Sequence, residues 1–355
     1  MSARHVLLGH MRQFPCDWKV TVIVPCSGWQ SDWNESRWNV IESPPIVSKP
    51  IGRWAWERKA IPRFASKLKV DLVFSPNGIV LSRCPVPQVT LAQNPWCLTP
   101  TLHNGYAQKI RALIQRRSYR STQLCADSIA FNSQFMQNAY RENAAGSIEN
   151  RSVIAYQGIN EERFEAAERH QNRKRNPLTI VSVSAMARWK GADRLVMAVN
   201  DIHQRGIRAV LRLVGPWPEA QYRKEVESLI HQFKLEPYIQ ITDRVSDEQL
   251  DIELASAKVY ALLSQCESFG IPAVEAQAFG TPVVGSTGTA MPEVGGDGGV
   301  FVKAEDIAIA SNAIERLLTD DCMWKQYSDA AKQNAEKFRW NRCSQPLIQL
   351  LEASH

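Results

Sequence analysis

Short β-branched apolar runs alternate along this chain with stretches whose apolar residues recur at helical spacing. That alternation predicts βα units around parallel sheets. In the first half, residues 19–25, 71–75, 88–92, 128–132 and 152–156 read as strands. The polar run 169–177, ended by Pro177, reads as a linker. The alternation then restarts with a strand at 178–184. Residues 193–204 follow as a helix, with Leu195, Ala198, Val199 and Ile202 at i, i+3, i+4 and i+7 and Gly206 just beyond. Strands are expected at 209–215, 238–242, 259–264, 282–286 and 300–302, and helices at 306–318, 321–338 and from Asn341 onward. The expected fold is α/β, with two Rossmann-like, doubly wound parallel-sheet domains facing a cleft. They span residues 1–168 and 178–338, and 339–355 form a closing helix that packs back on the first domain. In such sheets ligands sit beyond the carboxyl ends of the strands.

Composition narrows the class. The 355 residues suffice for about two domains. With 44% hydrophobic and 22% charged residues, the chain is neither disordered, collagen-like nor a small disulfide scaffold. No apolar run approaches the roughly 18–20 residues of a spanning helix, and the first residues lack the pattern of a signal peptide. The expected location is therefore cytoplasmic. Eight cysteines are scattered, without a CxxC pair or metal-ligand spacing to a histidine, and read as reduced thiols.

Charge is uneven. Residues 1–176 hold 24 basic and 13 acidic side chains, a net of +11, and the remainder is −5. A basic half suits an anionic partner: a phosphorylated ligand, an acidic membrane surface or nucleic acid. Nucleic acid is disfavoured, since no helix-turn-helix, RNP-like or zinc-finger pattern is present. Positive charge concentrates in Arg53–Lys59, continued by Arg63, Lys67 and Lys69, and in Lys109–Arg120, where Arg116, Arg117 and Arg120 share a helical face. One reading is peripheral contact with anionic lipid at the inner face of a membrane; the other is a solvated helix face. Seven of the eleven tryptophans precede residue 100, where they would stack on sugars, lie at an interface or fill core.

The most informative stretch runs from Glu267 to Val284. A strand ends near Ser264, Gly270 permits close backbone approach, Pro272 opens a helix and Gly280 stops it. A helix N-terminus offers free N–H groups and partial positive charge to a phosphate. Glu267 and Glu275 flank this turn, and carboxylates accept hydrogen bonds from hydroxyls. Phosphate donors between two such carboxylates describe a site for a sugar nucleotide. For Glu275 alone, a favourable charge in the first helical turn is an equal explanation.

This stretch resembles the E-x7-E signature of the family-4 retaining glycosyltransferases (glycosyl transferases group 1) of GT-B fold. Asp127–Ser133, Gln157–Asn160, Lys190–Leu195, Leu213–Pro216 and Phe338–Trp340 match further landmarks in order. The resemblance implies transfer of a sugar, with retention, from a nucleotide sugar to a glycan or lipid-linked acceptor. It implies that Glu267 contacts the transferred sugar and Glu275 the ribose, and that the backbone of Ser268, Phe269, Gly270 and Ile271 cradles the diphosphate. Arg188 and Lys190 would then meet the charge developing on the leaving group. No cofactor or metal is expected, as the chain has no Asp-x-Asp motif. The alternatives are a GT-B epimerase or phosphorylase, or an inactive nucleotide-sugar-binding relative. A nicotinamide dehydrogenase is disfavoured, since no G-x-G-x-x-G follows a strand.

Two departures stand out. Arg4–Met11 resembles the family's first helix, so its first strand and Gly-Gly loop are missing ahead of it. Either the start lies upstream of Met1, the preferred reading, or the first domain is compromised. After the strand 88–92, where relatives place a histidine, this chain has Gln93 and Asn94, amides that are candidates for contact with acceptor or sugar.

Overall fold

The structure, a computed structural model, describes residues 3–25, 37–81, 83–103, 105–143 and 148–354; Cys26, Trp29 and Trp33 lie outside them. The first described element is the helix Ala3–Arg12. The strands of the first half are β1 (Val20–Pro25), β2 (Trp38–Ser43), β3 (Val73–Ser75), β4 (Gln88–Ala92), β5 (Ser128–Phe131) and β6 (Ser152–Ile154). They form two separate parallel sheets, β1-β2 and β3-β4-β5-β6. Val22 and Val24 of β1 nevertheless share one core with Val89 and Leu91 of β4 and with Val6, Leu8 and Met11 of the first helix. Among the described residues, hydrogen bonds do not join these two sheets into one.

The second half holds β7 (Asn176–Val183), β8 (Val210–Val214), β9 (Ile239–Thr242), β10 (Ala257–Leu262), β11 (Val283–Ser286) and β12 (Gly299–Val302). All are parallel, in the order β9-β8-β7-β10-β11-β12. The chain winds outward from β7 on one side, then returns to start again at β10. The crevice between β7 and β10 is where such a sheet binds ligands. The helix Ala192–Gln204 covers the sheet with the expected stripe of Leu195, Ala198, Val199 and Ile202, all buried. β7 begins at Asn176, inside the polar run, because Asn176 pairs with Ala257 of β10.

The tail crosses back to the first half. Ile159 N–H donates to the Phe338 carbonyl at 2.8 Å. Beyond it, the helix Gln345–Glu352 buries Leu347, Ile348 and Leu351 in the core shared with Val89 and Leu91. Trp340 is the keystone, its indole Nε1 donating to Asn160 Oδ1 at 3.2 Å. Two glycines make room for it: a Cβ on Gly9 would lie 2.2 Å from Trp340 Cε2, and one on Gly158 2.5 Å from Cδ2. Gly158→Ala is therefore expected to destabilise the fold by about 1–3 kcal/mol through overpacking. A urea midpoint equal to that of the parent would show that the ring yields freely.

Candidate functional site

At the head of β7 the chain turns through Arg188–Lys190 into Gly191, whose φ is +77°. A Cβ there would meet the Leu263 carbonyl oxygen at 2.3 Å, so glycine lets this loop close onto the end of β10. The contact is secured by hydrogen bonds: Gln265 N–H donates to the Trp189 carbonyl at 2.8 Å, and Arg194 Nη1 to the Leu263 carbonyl at 3.0 Å. The two strand ends are thereby zipped together, and Lys190 Nζ forms an ion pair with Glu267 Oε1. Both side chains are largely buried, at 18% and 12% exposure, so water screens the pair weakly.

Three residues on, Gly270 has a φ of +97°, and a Cβ there would strike Met291 Sδ at 2.5 Å. It opens the helix Ile271–Ala278, with Pro272 in its first turn. Glu275 lies inside that helix, and Arg163 Nε approaches its Oε1 at 3.3 Å. The same guanidinium bonds Asp251 and reaches Asp247 at 3.4 Å. Burial raises the Glu275 carboxyl above the usual range while the Arg163 charge pulls the other way. Beneath both carboxylates, Tyr260 donates to the Val183 carbonyl at 3.1 Å; burial, then the Glu267 and Glu275 charges, hold it protonated.

The loop between the carboxylates is tied to the first half. Asn132 Nδ2 donates to Ser268 Oγ at 3.1 Å, and Ser133 Oγ to the Ser268 carbonyl at 2.7 Å. Glu293 accepts the backbone N–H groups of Gln134 and Phe135, at 2.6 and 3.0 Å, where the helix Gln134–Glu142 begins. Thr99 Oγ1 lies 3.7 Å from Cys266 Sγ. Phe269 and Ile271 point into the core, Phe269 against Tyr156 and Phe338, so only their backbone is available to a ligand.

The structure thus gathers Glu267, Lys190, Ser268, Gly270 and Glu275, but it does not bring Arg188 to them. The Arg188 guanidinium makes two bonds to Glu225, at 2.7 and 2.9 Å, and lies over the Tyr222 ring. An exposed carboxylate and an aromatic face on the helix Ala220–Gln232 outcompete the cleft for it. Gln93 is occupied as well: its Nε2 donates to the Pro76 carbonyl, and its Oε1 accepts from Gln157. Asn94 Oδ1 accepts the Trp96 N–H, which holds the loop after β4. Sequence reasoning missed Arg163, Asp251 and the Glu293 contact. Gly288 and Pro292 are local signals that could have pointed to Glu293, whereas nothing local marks Arg163. Among the described residues, no group of three or more His, Cys, Asp or Glu is placed to hold a metal ion.

Residues 164–338, just under half the chain, match the family model for glycosyl transferases group 1. A D-inositol 3-phosphate glycosyltransferase of Corynebacterium diphtheriae is 29% identical over 46% of this chain and 40% of its own length. That of Corynebacterium kroppenstedtii is 31% identical over 49% and 40%. The chain therefore spans about two fifths of the curated relatives it matches. Among solved structures, a sucrose-phosphate synthase from Thermosynechococcus elongatus superposes with a TM-score of 0.76 at 19% identity, over 98% of this chain and 91% of that one. Anabaena HepE, in complex with UDP-glucose, gives 0.75 at 18% identity, over 99% and 96%. Fold and sequence agree: the chain has the GT-B fold, and its residues 164–338 match glycosyl transferases group 1.

Proposed function

We propose that this protein moves a sugar from a nucleoside diphosphate donor to a hydroxyl of a glycan or lipid-linked acceptor, with retention of anomeric configuration and without a metal. The observation that carries the reading is the meeting of Lys190 and Glu267 at the β7–β10 crevice, beside a helix start with Glu275 inside it. The match to group 1 glycosyl transferases and the shared fold with HepE, solved with UDP-glucose, support it.

In this reading Glu275 takes the ribose hydroxyls, and the N–H groups at the helix start take the diphosphate. Lys190 leaves Glu267 to meet the charge that grows on the departing phosphate. Glu267 holds hydroxyls of the transferred sugar. The acceptor oxygen bonds to the anomeric carbon on the face from which the diphosphate leaves. The carbon–phosphate oxygen bond breaks, and the acceptor proton passes to a diphosphate oxygen.

The test is a thermal-shift panel of UDP-, GDP- and ADP-sugars, followed by product analysis. One donor class at about 100 times its Kd is expected to stabilise the fold by about 2.7 kcal/mol. Its sugar is expected on an acceptor in the donor's anomeric configuration. Epimerised donor, phosphorolysis, or binding without turnover would refute transfer.

A further inference from the structure

We infer that the helices Tyr106–Cys125 and Pro50–Leu68 form a docking surface for an anionic lipid bilayer, lying on it rather than crossing it. The inference rests on these helices alone and stands whether or not the transfer reading does. The helix Tyr106–Cys125 turns Ala112, Tyr119, Thr122 and Gln123 inward. Its outer side carries Tyr106, Ile110, Leu113, Ile114 and Leu124, with Tyr106 at 87% and Ile114 at 61% exposure. Spacings of 4, 7 and 8 from Tyr106 put Ile110, Leu113 and Ile114 on one stripe. A solvated helix does not present such a stripe to water.

Charge selects the occupant. This helix contains five basic residues and no acidic one. Arg116 is spent on the Cys97 carbonyl, Arg120 donates to the Asn143 carbonyl, and Arg111 lies over Trp96. Lys109 and Arg117 are exposed and flank the stripe. The helix Pro50–Leu68 repeats the composition. Ile51 and Trp54 are exposed, Arg58 stacks over Trp54, and the sole acid, Glu57, is bound by Arg53. Two adjoining cavities connect the helices. A cavity of about 710 Å³ is lined by Arg63, Lys67 and Arg83, and an adjoining one of about 350 Å³ shares Arg83, Cys84 and Pro85 with it and reaches Cys125 at the end of the helix Tyr106–Cys125, with Asp127 beside it.

Exposed isoleucine and leucine beside the exposed Lys109 and Arg117 match the boundary of acyl chains and anionic headgroups. A polynucleotide would satisfy the cations and leave the apolar stripe in water. A second copy would cover the stripe and bring like charges together. No helix among the described residues is long and apolar enough to cross a membrane, which fits attachment in the plane of the surface.

The experiment is co-sedimentation of the full chain with phosphatidylcholine vesicles, with and without roughly one third phosphatidylglycerol. Binding to the anionic vesicles is expected to be at least about tenfold stronger and to fall with salt. Lys109→Gln with Arg117→Gln should lower it about tenfold or more. Ile110→Ser with Leu113→Ser and Ile114→Ser should lower it comparably by removing inserted apolar area. Lys224→Gln with Lys303→Gln, on the other half of the chain, should leave it unchanged, and an unchanged thermal midpoint would show each variant folded. Equal binding to both vesicles, insensitivity to both helix variants, or a dimer in light scattering that the serine variant dissolves would overturn the inference.

Discussion

Replacing Glu267 by glutamine is expected to lower turnover about 10²–10³-fold while changing nucleoside diphosphate affinity by less than about threefold. The carboxylate is largely buried and bound to Lys190. Glutamine keeps its shape but removes the charge that, in the proposed reading, orients the transferred sugar. In that reading the diphosphate is held elsewhere, at the start of the helix Ile271–Ala278 and by Lys190. Binding should therefore outlive chemistry, and initial rates read beside calorimetric titration of the diphosphate separate the two. Unchanged turnover would remove Glu267 from the site.

Lys190→Ala is expected to fail on both counts, with turnover down about 10²-fold or more and diphosphate affinity down about tenfold. Lys190 is the cation that the structure holds against Glu267, since Arg188 is bound to Glu225. Its removal also leaves Glu267 buried without a counter-charge, so part of the loss is an unpaired carboxylate. The double variant Lys190→Ala/Glu267→Gln separates that effect, because it restores stability without restoring affinity for the diphosphate. Normal diphosphate affinity in Lys190→Ala would contradict its placement.

Much of the second half was legible from the chain alone. The central strands β10 and β11 are largely apolar runs buried throughout, β7 is buried over half of its length, and the helix Ala192–Gln204 has a clear stripe, so local pattern and final burial agree there. The turn around Gly270 was legible for the same reason, since backbone demands at a strand-to-helix corner show in glycine and proline. β2 was not legible: Trp38–Ser43 alternates imperfectly, and two of its six residues are buried. Arg188 was misplaced because sequence gives a loop position and not the competition for a guanidinium, which Glu225 and Tyr222 win. Arg163 was invisible because its partners Asp251 and Glu275 are brought to it only by the folded sheet. The role of Gly9 and Gly158 depends on an indole at the far end of the chain. Local backbone pattern was readable, and pairings between distant segments were not.

The most direct measurement is a crystal structure of the chain bound to whichever nucleoside diphosphate sugar stabilises it most. The account predicts both Glu275 oxygens turned to the ribose, the diphosphate at the N–H groups of Gly270 and Ile271, and Lys190 drawn from Glu267 to a phosphate oxygen. A donor seated elsewhere, with the Lys190–Glu267 pair intact and Glu275 still facing only Arg163, would contradict it.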